Sequence, residues 1–91
     1  MIWLEIIKLR CAGKGSALLN ELLMSATQTR QSGLVDMKTY RHAALDTDLS
    51  VHLYWKSDRT EQNGSILGIR LAHSLKEFGL VDHSVWIENK K

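Results

Sequence analysis

Apolar positions along the chain fall into six runs, of two kinds. The first, "IWLEIIKLRC" (2–11), is rich in large and β-branched side chains and predicts a strand. Both of its alternating sets are apolar: Ile2, Leu4 and Ile6 on one face, Trp3, Ile7 and Leu9 on the other. A strand apolar on both faces is one covered on both sides. "AGKG" interrupts it, and Ser16 is a plausible N-cap for a helix carrying Leu18, Leu19, Leu22, Leu23 and Ala26 as an apolar stripe.

Gly33 is expected to end that helix as a left-handed C′ residue. Two strand-like runs follow, "LVDMKTYRHA" and "LSVHLYW", joined by a hairpin turn over 44–48. The polar stretch "KSDRTEQNG" (56–64) is a loop. A second helix then places Leu67, Leu71, Leu75 and Phe78 within ~80° of arc. Gly79 stops it, and "LVDHSVWIE" is the last strand.

The order is β-α-β-β-α-β, with an internal echo. "GLVD" occurs at 33–36 and again, 46 positions on, at 79–82. Laying one half on the other superposes Ile7 on Leu53, Leu9 on Trp55, Val35 on Val81 and Met37 on His83. Split, interleaved β-α-β units give an α+β, ferredoxin-like domain: a four-stranded antiparallel sheet, first and third strands central, both helices on one face. GLVD is punctuation at the start of each return strand rather than a ligand motif.

The helices cover one sheet face only. If Leu49, Val51, Leu53 and Trp55 face them, so do Trp3, Glu5, Ile7 and Leu9. The other face then carries Ile2, Leu4, Ile6, Leu34, Tyr40, His52, Tyr54, Leu80 and Trp86, too apolar to stay wet. A homodimer with its sheets face to face is the expected cover.

Composition narrows the classes. The 91 residues are 44% apolar and 24% charged, an ordinary balance for one globular domain, with 88–91 as a solvated tail. A net charge of +2, scattered rather than clustered, argues against nucleic acid. No run approaches the ~20 apolar residues of a membrane span, and no leader pattern opens the chain. One cysteine, Cys11, excludes an internal disulfide and reads as a small buried hydrophobe. A cytoplasmic location is expected.

A chain of this order and length resembles the dimeric α/β-barrel proteins, and among them the antibiotic-biosynthesis-monooxygenase domains. "GLVDMKTYR" is similar to that family's glycine-led second strand, and "VHLYWKSD" to its third strand, which ends in Trp-x-Ser-acidic. The resemblance implies oxidation of aromatic or quinol-like compounds by oxygen, without metal or flavin. In a haem-degrading branch it implies a haem pocket between helices and sheet. Trp55 matches the pocket tryptophan of both branches. Lys8 and Val51 stand where the two branches have asparagines; His73 is the one match for the haem-branch histidine, and Arg70 a loose match for the oxygenase arginine.

From the residues themselves, His83 is the departure that matters, since the repeat has Met37 there. Facing the helices, it neighbours Glu5 on the first strand, and two buried polar groups must satisfy each other. Glu5 and His83 are thus the candidate catalytic pair, with His83 as general base or the two as a structural pair. Trp55, Trp3 and Arg70 are the candidate substrate-binding residues, for an aromatic small molecule. His73 lies off the apolar stripe and is expected in solvent. No metal-ligand spacing and no cofactor signature is recognised. The rival function is a non-catalytic ligand-binding or assembly module, and haem binding is a third.

Overall fold

A computed structural model describes residues 1–11, 17–45 and 47–89. The expected Ser16 cap and the 12–15 break lie outside these residues. Strands β1 (Ile2–Cys11), β2 (Leu34–Arg41), β3 (Asp48–Lys56) and β4 (Gly79–Ile87) form one antiparallel sheet in the order β2-β3-β1-β4. Helix α1 (Ala17–Thr27) lies over β2, and α2 (Ile66–Leu75) lies over β1 and β4. Topology, central strands and helix placement are those read from the pattern.

Register follows the alternation of β1 and β3. Trp3 stands opposite Trp55, Glu5 opposite Leu53, Ile7 opposite Val51 and Leu9 opposite Leu49. One parity set therefore faces the helices, and Trp3, Ile7, Leu9, Val51, Leu53 and Trp55 are buried against Leu19, Leu71 and Leu75. Burial of such side chains, about 1.5–3 kcal/mol each, holds the layers together. Cys11 packs half-buried at the edge of this core; burial first, then the nearby Asp48 carboxylate, pushes its thiol pKa up.

The chain departs from expectation in four places. A bulge between Leu34 and Asp36 sets Leu34 opposite Trp55, so Leu34 packs against the core and Val35 is exposed. Leu34 thus leaves the outer-face set, and Val35 does not share the half-buried position of Val81. Leu18 is exposed and does not belong to the α1 stripe, which Leu19, Leu22, Leu23 and Ala26 form. Helix α1 ends at Thr27, well before Gly33: Gln28 and Thr29 bond back three residues to Ser25 and Ala26, and the Thr27 hydroxyl donates to Met24. Gly33, with φ of 87°, instead turns the chain into β2.

Gly79 is not a left-handed helix stop either. It follows a 3₁₀ turn (Lys76–Phe78) and is extended, at φ 159° and ψ −157°. Glycine is needed for proximity: paired with Cys11, its Cα lies where a methyl would fall on the Arg10 carbonyl. His42 closes the β2–β3 connection, its Nδ1 accepting from the backbone N–H groups of Ala44 and Leu45. Gly79→Ala is expected to cost about 2–3 kcal/mol, the upper range for an insertion into packed structure, measurable by urea unfolding.

Candidate functional site: a buried carboxylate beside a tryptophan cleft

Glu5 lies in the middle of β1, is fully buried, and accepts four hydrogen bonds. On Oε1 it receives Trp55 Nε1–H at 3.0 Å and the Ser65 hydroxyl at 2.7 Å. On Oε2 it receives the Ser65 backbone N–H at 3.0 Å and His83 Nε2 at 2.6 Å. A carboxylate offers about four lone-pair sites, and all are taken. An isolated buried charge would cost many kcal/mol; hydrogen bonding at every site and a histidine partner offset that cost.

The three residues that supply these donors come from different elements. Trp55 ends β3 and stacks on Trp3, directly across the ladder, with ring centroids 5.5 Å apart and planes 15° apart. Ser65 is the N-cap of α2: its backbone is extended, and its hydroxyl accepts from Gly68 N–H at 2.9 Å while donating to Glu5. The negative carboxylate also sits at the favourable end of the α2 dipole. His83 is in register with Ile7 and reaches one diagonal step to Glu5.

Two glycines make room. A methyl at Gly68 would fall on the Glu5 carboxylate, and one at Gly64 on the His83 ring; Gly64 also has φ of 98°. The juxtaposition of Glu5 and His83 was legible in the sequence. Ser65, Gly64 and Gly68 were not singled out, and their signal was a serine and two small residues at the start of the second helical run.

His83 uses one nitrogen. Its side chain is 18% exposed, and among the described residues no buried polar side-chain atom lacks a partner. Nδ1, which has no partner, therefore opens to solvent. Glu5 thereby fixes the ring through Nε2 and leaves Nδ1 towards solvent.

Beside this network a cleft of about 300 Å³ opens between the loops. Trp3, Trp55, Ser65 and Ile66 line it together with Gln31, Ser32, Ser57 and Glu61. Trp3 Nε1 is held by the Ser57 hydroxyl at 2.9 Å. Glu5 and His83 do not line the cleft; they stand behind Ser65 and Gly64, which do. Arg70 and His73, both on α2, are exposed and do not line it either. The structure thus brings together Trp3, Trp55, Glu5 and His83 and leaves Arg70 apart. No three metal-ligating side chains cluster among the described residues, and no helix among them is long and apolar enough to cross a membrane.

Across the sheet lies a different surface. Tyr40 and Tyr54 hydroxyls meet at 3.3 Å, and the His52 ring lies 4.5 Å from that of Tyr40. Burial first, then the Lys8 charge, pushes the His52 pKa down.

No family model matches the sequence, and no curated protein matches it. Solved structures do match the fold. Rv0793 from Mycobacterium tuberculosis superposes with a TM-score of 0.73 at 16% identity, over 100% of this chain and 98% of its own. SnoaB from Streptomyces nogalater, described as a cofactor-independent oxygenase and solved as a point mutant, gives 0.71 at 13% identity, over 99% and 95%. The chain therefore shares the ferredoxin-like fold of these two proteins.

Glu5→Gln turns one acceptor oxygen into a donor facing either Ser65 N–H or Trp55 Nε1–H. One buried donor loses its partner whichever way the amide turns. The expected loss is about 3 kcal/mol, read from denaturant unfolding. Unchanged stability would show that water replaces the carboxylate in solution.

Proposed function

We propose that the protein is a cofactor-independent monooxygenase-type enzyme that seats an electron-rich, quinol-like ring in the Trp3–Trp55 cleft. The observation that carries this reading is the aromatic cleft whose inner wall, Trp55 and Ser65, is fixed by a buried carboxylate. The described function of the similarly folded SnoaB supports it.

In this reading the Glu5–His83 pair takes the phenolic proton through Ser65. Substrate O–H passes its proton to Ser65 Oγ, and the Ser65 proton passes to Glu5 Oε1. The phenolate gives one electron to dissolved dioxygen. The radicals combine at a ring carbon, and the peroxide recovers the proton. Loss of water then leaves a ring carbonyl, with one oxygen atom in the product and one in water. His83, bonded to Oε2, stabilises the carboxyl group through both states.

A second reading, ring binding without turnover, is favoured by the saturation of Glu5 and by the absence of His83 from the cleft wall. Oxygen-electrode measurements with a panel of naphthoquinols separate the two. Uptake of one oxygen per ring, reduced at least about tenfold in Ser65→Ala and His83→Ala, is expected. Calorimetric binding without uptake would leave the binding module; uptake unchanged in both variants would clear the pair of the role.

We further propose that the protein works as a homodimer through the outer sheet face. Leu80 is 75% and Trp86 58% exposed there, beside Ile2, Leu4 and Ile6. At micromolar concentration, sedimentation is expected to give twice the 10.4 kDa chain mass. Leu80→Asp with Trp86→Asp is expected to give a folded monomer. A native species of 10.4 kDa alone would end this part of the proposal.

A further inference from the structure

Charge is unevenly placed around the tryptophan cleft. Of its lining residues, Trp3, Trp55, Ser57 and Ser65 have their polar side-chain atoms engaged with one another or with Glu5. Among the described residues Glu61 is the one ionisable side chain on the lining, and it is exposed. None of the ion pairs among the described residues involves it. The basic residues nearest in sequence, Arg30, Lys56 and Arg59, are absent from the lining. A second carboxylate, Glu5, stands one hydrogen bond beyond Ser65. A ring entering the cleft therefore meets one carboxylate on the lining and has another beyond Ser65, with no basic side chain on the lining among the described residues.

We infer that Glu61 is a specificity-determining residue: the cleft takes uncharged hydroxylated aromatics and discriminates against their carboxylated analogues. The inference rests on the ring-seat reading above and adds the charge class of the ligand. It is carried by Coulomb repulsion at short range in a site open to water. There a like-charge pair a few Å apart is worth a factor of about five in affinity, and salt weakens it. Glu61 acts on binding alone. Its loop position, away from the Glu5 network, separates its effect from folding.

The test is calorimetry under nitrogen with two ligands that differ in charge and little else: 1,4-dihydroxy-2-naphthoate and its primary amide. Native protein is expected to bind the amide about five times more tightly. Glu61→Gln is expected to bring the two within about twofold, by strengthening the naphthoate and leaving the amide unchanged. Raising salt to about 1 M, where screening acts within ~3 Å, is expected to narrow the native gap in the same way. Equal native affinities, or a gap that survives in Glu61→Gln, would overturn the inference while leaving the ring seat standing. Binding of neither ligand would remove the ring seat itself, and the inference with it.

Discussion

A carboxylate sealed from water at the centre of a sheet is the constraint on which this molecule's working end depends. Glu5 sits on the central strand β1, and its four donors come from β3, from both the backbone and the side chain at the start of α2, and from β4. Losing one of them leaves a charge short of a partner in a low-dielectric interior, which is costlier than losing an apolar contact. The neighbouring residues are accordingly narrow in choice. Position 65 must supply a backbone N–H and a hydroxyl together, position 55 an indole N–H, and positions 64 and 68 no side chain at all. The network also fixes where α2 begins, because its capping serine is the residue held by Glu5. Packing of Leu71 and Leu75 against the sheet is thereby tied in register to a polar contact.

How much of this was legible follows from which forces are periodic. Strand register could be read because β1 and β3 alternate cleanly, and the repeat carried the same parity to β4. That sufficed to set His83 beside Glu5. The bulge at Leu34–Asp36 was not legible: no glycine or proline marks it, and it comes from the fit of β2 against β3 and Trp55. The end of α1 was misplaced for a similar reason. Gly33 looks like a helix stop, but local bonds around Ser25–Thr29 close the helix earlier. Ser65 and Gly68 carry the site's most demanding geometry, yet in sequence they are a serine and a glycine after a polar loop. Their importance exists only once β1 lies beneath them.

The two faces of the sheet divide the molecule's roles. Beneath the helices, polar atoms are few, paired and rigid. Outside, Tyr40, Tyr54, His52 and Lys38 form a looser network, with Lys38 Nζ 5.8 Å from the Tyr54 ring. A salt bridge of 3.5 Å between Arg10 and Asp48 lies at the far end of the same sheet. Apolar exposure gathers at Trp86 and Ile2 on this face, while the cleft opens on the helix side of the sheet. An association through the outer face therefore leaves the cleft mouth uncovered, and the proposed dimer and ring seat do not compete for surface.

Within the cleft the same division recurs on a smaller scale. Trp55 and Ser65 are locked by hydrogen bonds that end on Glu5, and Trp3 by one to Ser57. Gln31, Ser32 and Glu61 lie on segments outside helix and strand and are exposed. In the proposed reading a bound ring is oriented by the locked residues, because only groups that do not yield can hold a reacting atom within the few tenths of an ångström that proton transfer needs. It is selected by the exposed ones, where a substitution such as one at Glu61 changes charge without disturbing the carboxylate network. Chemistry and selectivity would then rest on different residues of one small opening. In the proposed arrangement the substrate can change by loop substitution while Glu5 and its four donors stay fixed.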